Sequence, residues 1–519
     1  MTLARRGRQR GMVALLLITL LILGGLLFAY TSLNFAEVRV DRERATNEAL
    51  AKAKDALIAF AVSHVSDVPV AGAPMRPGQL PCPDVNDDGI EDSDAAGACA
   101  NLMGRLPWAT LGVSDLRDDA GERLWYAVSN DFRTDYNVTP AVPLNSDTAY
   151  QTGNASLALA GTTPATNLAA LVLSPGATLM RTDNRVQARG CGAACDARDF
   201  LDIAAGEDNA DATNRIFVAA PRSSSFNDTL LPVFSDDIMR LVERRAAREL
   251  AAHLRNHYDM WMNTLDVNNT KGFYPYAVPL VDPSAPAQAG SNGTTGGLAP
   301  LSTAPLTWSN TSANCSGNGT QTLDCSQFVL CVLICLTNFS ARIENVATRF
   351  VDPPDPASVQ VLGVALAGSA TWSLNTTQRR LDFSYNGGVL AIGIARIRVT
   401  APPASGWLAS SWLTANNWHQ TAGYVFSPGY AIDSVDSCGG AAPSCLTIAN
   451  TAAPNDNKQA IVLMAGRALS AAGQSARPVA PPASVGDFVE GLNADGILTQ
   501  FENNARTATF NDTVVAVRP

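Results

Sequence analysis

The feature that most limits this chain is an uncharged run of 19 residues, Met12 to Tyr30, which continues without a helix breaker. An apolar stretch of about 20 residues matches the thickness that a membrane-spanning helix must cover. It also exceeds the roughly 7–15 apolar residues of a cleaved secretory signal, and no small-x-small cleavage site follows it. Arg5, Arg6, Arg8 and Arg10 precede it. That flank predicts a cytoplasmic N-terminus, a single pass through a membrane and a body facing outward. Residues 31–68 contain neither proline nor glycine. Within them Ala49, Ala53, Leu57 and Phe60 recur at three- or four-residue spacing, the stripe of an amphipathic helix. One helix of roughly fifty residues is expected, with residues 12–30 in the membrane and its second half packed on a folded domain.

At 519 residues the chain exceeds one ordinary core, so two or three domains are expected. Apolar residues make up 46% and charged residues 16%, the balance of a globular protein rather than a disordered one. A net charge of −10 leaves no basic surface for nucleic acid beyond the first ten residues, and that class of function is excluded. The ten cysteines fall in local groups: Cys82 and Cys99; Cys191 and Cys195; Cys315, Cys325, Cys331 and Cys335; Cys438 and Cys445. Short-range, even-numbered grouping favours disulfides in an oxidising compartment, and the middle four allow three connectivities. Zinc is the rival, because CxxxC occurs twice, but only four histidines are present to complete ligand sets.

After Pro69 the texture changes to short apolar segments between Pro, Gly, Asn and Asp, as in sheet-rich domains. Residues 122–129 and 167–176 read as strands. A second amphipathic helix begins near Ser235 or Asp236, with Ile238, Leu241, Val242, Leu250, Leu254 and Trp261 on its apolar face. Three motifs then repeat in order. ALVLSPG at Ala170 parallels AIVLMAG at Ala460, DFLD at Asp199 parallels DFVE at Asp487, and FNDTLLPV at Phe226 parallels FNDTVVAV at Phe510. A helix and a Pro-containing turn precede each copy, GQLPCPD in one and GFYPYAVP in the other. The expected fold is therefore α+β: a leader (1–11), the membrane-spanning part of the N-terminal helix (12–30), and two related lobes, each a helix on an antiparallel sheet (31–235 and 236–519). The second lobe carries a β-rich insertion at about 282–400, with an exposed Gly/Ser/Thr-rich loop in its first part and a turn at Asn386-Gly387-Gly388.

The sharpest local motif is PDVNDDGIED. Asp84, Asn86, Asp88 and Asp92, with the Ile90 carbonyl, place oxygens at the alternating positions of a calcium loop, and Gly89 permits the sharp turn. The twelfth position is Ala95 rather than Glu, so this is not a regular EF-hand, and a solvated Asx-turn loop accounts for the same residues. His253 and His257 stand four apart on a helix but lack the glutamate of a zinc-protease motif. No nucleophile elbow, Walker loop or dinucleotide fingerprint occurs, and any catalytic triad would have to use His64, His253, His257 or His419. The chain therefore reads as a non-enzyme. A tethered carbohydrate-active hydrolase remains an alternative, with Trp407, Trp412 and Trp418 able to stack on a sugar.

With these residues in place, the N-terminus resembles the type IV pilin and type II secretion pseudopilin superfamily. The resemblance rests on the basic leader ending in Gly11, then Met12, then the apolar helix running into AEVRVDRERATNEALAKAKDALIAFA. The stretch DLRDDAGERLWYAVS, Asp115 to Ser129, is similar to the segment that introduces the first pseudopilin strand. The resemblance implies cleavage by a prepilin peptidase between Gly11 and Met12, methylation of the new N-terminus, and partnership with other pilin or pseudopilin subunits through the helix. It also implies residence in the inner membrane before assembly, display at the cell surface or fibre tip afterwards, and calcium at the Asp84 loop. One position departs. The fifth residue of the cut chain is Leu16 where the family usually has Glu, which resembles the large minor subunits at a fibre tip. The expected function is thus a minor pilin- or pseudopilin-like tip subunit. An anchored periplasmic or surface adhesin that never enters a fibre is the alternative.

Overall fold

The computed structural model describes residues 7–63, 76–93, 98–133, 143–148, 157–190, 196–211, 213, 215–264, 272–280, 294–301, 309–316, 331–336, 338–344, 359–361, 364–365, 369–375, 380–386, 392–397, 412–431, 438–439, 444–475, 477 and 483–518. Of these, residues 7–13, 26–39, 260–264 and the strands between 309 and 397 are described as backbone only. The chain divides into two compact units. Lobe 1 holds residues 1–73, 77–141 and 151–238; lobe 2 holds 74–76, 142–150 and 239–519. The main crossing falls between Ile238 and Met239, inside a helix, rather than at residue 235.

Helix α1 runs Gly7–Ser63. Its C-terminal part packs through the expected stripe: Ala49, Leu50, Ala53, Leu57, Phe60 and Ala61 are buried. Lys54 fixes it to lobe 1, with Nζ 3.0 Å from the Pro232 carbonyl and 2.6 Å from Asp237 Oδ2. The membrane-spanning expectation is overturned. Among the described residues no helix is long and apolar enough to cross a membrane. The membrane-spanning part of the N-terminal helix is therefore not found among the described residues, and the single-pass inner-membrane location inferred from it is withdrawn.

Lobe 1 contains β1 Met103–Arg105, β2 Trp125–Val128, β3 Leu157–Gly161, β4 Ala165–Ser174, the short hairpin β5 Ile203–Ala204 and β6 Glu207–Asp208, β7 Ile216–Ala219 and β8 Thr229–Phe234. Its sheet has the order β1-β2-β4-β3-β7, and β8 pairs with β4. Strand β4 can serve as the spine because Leu168 to Ser174 are buried without a break, as suits a strand covered on both faces. The sheet is mixed rather than antiparallel, since β3 pairs with β7 in parallel.

Helix α2, Ser235–Thr264, carries Asp236 and Asp237 in its first turn, where carboxylates favour the positive end of the helix dipole. Ile238, Val242, Leu250 and Leu254 are buried. Beyond it lie β9 Gly296–Leu298, then the insertion strands β10 Ser309–Ser316, β11 Cys331–Leu336, β12 Asn338–Glu344, β13 Val359–Val361, β14 Val364–Ala365, β15 Ser369–Asn375, β16 Arg380–Asn386 and β17 Ile392–Ile397. The lobe closes with β18 Ala422–Phe426, β19 Thr447–Ala449, β20 Ala460–Met464, β21 Gln500–Glu502 and β22 Thr513–Arg518. The insertion forms two four-stranded sheets, β10-β12-β16-β15 and β11-β17-β13-β14. Strands β16 and β17 flank the expected Asn386-Gly387-Gly388 turn yet lie in different sheets. Residues 387–391 of that turn lie outside the described residues.

The two lobes repeat one register. In lobe 1, Leu173 of β4 faces Trp125 of β2 on one side and Leu230 of β8 on the other, while Trp125 faces Arg105 of β1. In lobe 2, Leu463 of β20 faces Gly423 of β18 and Val514 of β22, while Gly423 faces Leu298 of β9. The run β1-β2-β4-β8 thus corresponds residue by residue to β9-β18-β20-β22. The parallel pair β3 and β7, with Leu159 opposite Phe217, recurs as β19 and β21, with Ile448 opposite Phe501. Upstream, the isolated bridge Asp84–Arg105 recurs as Val278–Leu298.

Lobe 2 also incorporates a strap from the first half of the chain, residues 142–150. Leu144 N donates to Asn416 Oδ1 at 3.0 Å, Asn145 Nδ2 donates to the Asn416 carbonyl at 2.8 Å, and Ser146 Oγ donates to Glu243. Asp147 pairs with Arg477 at 3.2 Å.

Disulfides join Cys82 to Cys99 and Cys438 to Cys445. Cys191, Cys195 and Cys325 lie outside the described residues, and Cys315, Cys331 and Cys335 sit in strands described as backbone only.

Candidate functional site

The Asp84 loop is closed by its own amides. Asp84 Oδ1 accepts from Asp87 N and its Oδ2 from Gly89 N, both at 2.6 Å. Asp92 Oδ2 accepts from Val85 N at 2.7 Å and Asn86 N at 3.2 Å, and Asn86 Nδ2 donates to Asp92 Oδ1. Asn86 Oδ1 and Asp88 Oδ1 each accept the amide two residues on, from Asp88 and Ile90, as Asx turns do. Gly89, at φ 89°, lies under the indole of Trp108, where an added Cβ would meet the ring at 2.4 Å. Burial raises the Asp84 carboxyl above the usual range despite its two amide donors. The neighbouring cations are protein groups: Arg123 reaches Asp87 at 2.9 Å and Asp115 at 3.1 Å.

These oxygens face their own backbone rather than a common centre. Among the described residues no group of three or more His, Cys, Asp or Glu side chains is arranged to hold a metal ion. The hydrogen bonds are those of Asx turns, and calcium at this loop is decided by titration. Millimolar calcium or a chelator should leave the thermal midpoint unchanged. Asp84→Ala, which strands two amide donors, should cost about 2–4 kcal/mol in denaturant titration. A calcium-dependent rise in midpoint would reverse this reading.

A second cluster is buried in each lobe, and it repeats atom for atom. In lobe 1, Asp228 Oδ2 accepts from Asp202 N and Asn209 Nδ2, both at 2.9 Å. Asp202 Oδ2 accepts from Asn227 N at 2.7 Å, and Gln187 Nε2 donates to Asp202 Oδ1 at 2.8 Å. Asn209 also brackets Val218, donating to its carbonyl and accepting from its amide. In lobe 2, Asp512 Oδ2 accepts from Glu490 N and Asn493 Nδ2, Glu490 accepts from Asn511 N and Gln474 Nε2, and Asn493 brackets Glu502. An arginine completes each copy. Arg189 donates to the carbonyls of Gly176, Asp199 and Phe200, and Arg477 to those of Gly466, Asp487 and Phe488.

Burial pushes Asp228 and Asp512 well above the usual carboxylate range, and the facing acid, Asp202 or Glu490, pushes the same way. An acid buried beside a second acid is held toward its protonated form, because a charge there is costly in a dry site and repelled by its neighbour. Acid pairs of this kind also occur in catalysis. Here the same pair appears in both lobes, buried, with Oδ2 of Asp228 and of Asp512 taking one backbone amide and one Asn side chain while Oδ1 has no hydrogen-bond partner among the described residues. What it does is lock three loops to the sheet.

No protein family, curated protein or solved structure matches this chain. Function is therefore read from its own residues.

The other sequence candidates are placed as follows. His257 is buried, 3.3 Å from the Phe273 carbonyl, and burial lowers its pKa to about 4; His419 is likewise lowered to about 4. Trp412 and Trp418 are core residues, and Trp412 Nε1 donates to Glu249 Oε2 at 2.6 Å, so neither offers an open platform for a sugar. His64 and Trp407 lie outside the described residues. Gly11 and Met12 sit in the helical backbone of α1.

Sequence reasoning found DFLD, DFVE and the two FNDT motifs but missed Gln187, Arg189, Asn209 and their partners Gln474, Arg477 and Asn493. A signal was present, since Asn-Ala-Asp occurs at 209–211 and again at 493–495. The β5–β6 hairpin ahead of Asn209 alters its distance from DFLD and hides the match.

Proposed function

We propose that this chain is a minor pilin- or pseudopilin-like subunit, cut between Gly11 and Met12 by a prepilin peptidase, that joins a fibre tip through α1 and presents its lobes as a binding surface. The observation that carries this reading is the apolar turn-on-turn surface of α1. Leu15, Leu16, Leu17, Ile18, Leu20, Leu21, Ile22 and Leu23 are all between 56% and 74% exposed. They cover every face of the helix, and a helix apolar all round needs burial on all sides. Three turns of sister helices packed around it would supply that burial. Fully covering each such side chain is worth about 1.5–3 kcal/mol. The other end of the same helix is pinned into lobe 1 by Ala53, Leu57 and Lys54, so an assembled helix would carry the lobes with it.

Leu16 fits the tip. A subunit with no neighbour above it has no use for a carboxylate that registers against the next N-terminal amine. Gly11 suits a cut site, because glycine within a helix costs about 1 kcal/mol relative to alanine and eases local opening.

Intact-mass measurement of the chain, made with and without a prepilin peptidase, tests the reading. Residues 1–11 should be lost only with the peptidase present, and Gly11→Ala should block the loss. A mass unchanged by the peptidase would sink it.

A further inference from the structure

The shared register of the two lobes exposes a difference between them. On the core face of lobe 1, Met103 of β1, Trp125 of β2 and Arg105 of β1 fill the space above Phe200. The Arg105 guanidinium is sandwiched 4.3 Å from the Trp125 ring and 3.9 Å from that of Phe200. The corresponding residues of lobe 2 are Gly296, Gly423 and Leu298, by the pairings already given. The surrounding core is kept, with Phe488 for Phe200, Val489 for Leu201, Leu463 for Leu173 and Phe501 for Phe217. An indole, a thioether chain and a guanidinium have been removed from an otherwise matching interior. A pocket stands in their place, with Gly296, Leu298, Gly423, Phe488 and Phe501 in its wall.

We infer that lobe 2 is a receptor for one small, neutral aromatic molecule of about indole size, bound where lobe 1 keeps the side chain of Trp125. Size and shape follow from lobe 1, which fills the corresponding volume with an indole against a phenylalanine ring. Neutrality follows from the loss of the guanidinium, because Leu298 offers an anion nothing and the lining is otherwise almost wholly apolar. Apolar walls with few polar groups are the ordinary composition of a small-molecule site. The polar side chains at the wall, Asn493 and Thr421, already serve Glu502, Asp512 and Trp418, which leaves the lining to apolar contact. Neither glycine is there for backbone conformation, since neither has positive φ. A Cβ at Gly423 would come within 3.1 Å of Leu463 Cβ, and one at Gly296 within 3.0 Å of the Leu498 methyl tips, which can move. At Gly296 the pocket is thus kept open by the absence of a side chain the strand could carry. At Gly423 the Leu463 Cβ and the Leu463 carbonyl oxygen, 3.2 Å away, are backbone-held, and a side chain there requires the strands to shift.

The test uses the full chain and indole as the probe, with benzoate as the charged comparison, in calorimetric titration and thermal unfolding. Indole should bind saturably at one site per chain and raise the midpoint, and benzoate should bind at least about tenfold more weakly. A folded Gly423→Trp variant should supply the ring from within and weaken indole binding about tenfold or more. If Gly423→Trp does not fold, Gly296→Met fills the pocket from the neighbouring strand and should weaken indole in the same way. No saturable indole binding, or binding that survives a folded filling variant, would overturn the inference.

Discussion

Asn209→Ala should destabilise lobe 1 by about 3–5 kcal/mol, and Asn493→Ala should cost lobe 2 a similar amount. Each amide makes three bonds in a buried setting, two to one backbone unit (Val218 or Glu502) and one to the carboxyl of Asp228 or Asp512. Truncation leaves a backbone amide and a backbone carbonyl without their partner, each costing about 1–3 kcal/mol, and takes one of two donors from the carboxyl oxygen. Water can recover part of that for the two carbonyl-type oxygens, which is why the sum stays below the maximum. Urea titrations of both variants beside the parent would read the losses. If both variants kept the parental midpoint, the cluster would not be the lock described here. Equal losses would mark it as a shared structural device, whereas a loss of activity confined to one lobe would favour a chemical role for that copy.

The second large effect is on pH. Asp228 and Asp512 have folded pKa values well above their unfolded values, so the folded chain holds protons that the unfolded chain releases. Stability from these groups is fully present below the unfolded pKa, near 4, and is lost as pH rises toward and through the folded values. The limiting slope is about 1.4 kcal/mol per pH unit for each proton. The groups facing them are Asp202 and Arg189 in lobe 1 and Glu490 in lobe 2; the acids raise the shift, and the arginine moderates it. Asp228→Asn and Asp512→Asn mimic the protonated form. Each should cost less than about 1.5 kcal/mol near pH 6 and flatten the decline toward alkaline pH, whereas alanine at either site should be severe. Unfolding midpoints between pH 5 and pH 9 decide the matter, and an unchanged slope in the double Asn variant would refute it.

Much of the repeat could be read in the chain because its strands have to carry a buried run. Ala170 to Leu173 and Ala460 to Leu463 look alike for that reason, and FNDT recurs because its Asp fills the lock. The stripe through Ala53 and Leu57 was legible for a similar reason, since packing on one face fixes the period. The membrane span was not there to be read. Apolar character in Met12 to Tyr30 is shared by helices that cross a bilayer and helices that bundle, and local composition does not separate the two. The calcium reading has a rival for a related reason. Asp, Asn and Gly at alternating positions suit a metal loop and a chain of Asx turns equally well, and only the direction of the oxygens tells them apart. The pocket was illegible in either copy alone. Gly423 is an ordinary strand glycine until the register sets it opposite the position of Trp125.

The strap at residues 142–150 has a consequence for how such a protein can change. A tandem duplicate normally remains a module, free to be lost, shuffled or moved as one contiguous piece of gene. Here the second copy has taken Asp147 as the counter-ion of Arg477, the same arginine that closes its own lock, together with Asn145 as a partner for Asn416. Those residues are encoded in the first copy. A cut between Ile238 and Met239 would release a second copy with a nearly buried arginine short of its carboxylate. The two halves of this gene are thereby committed to one reading frame and inherited as one unit.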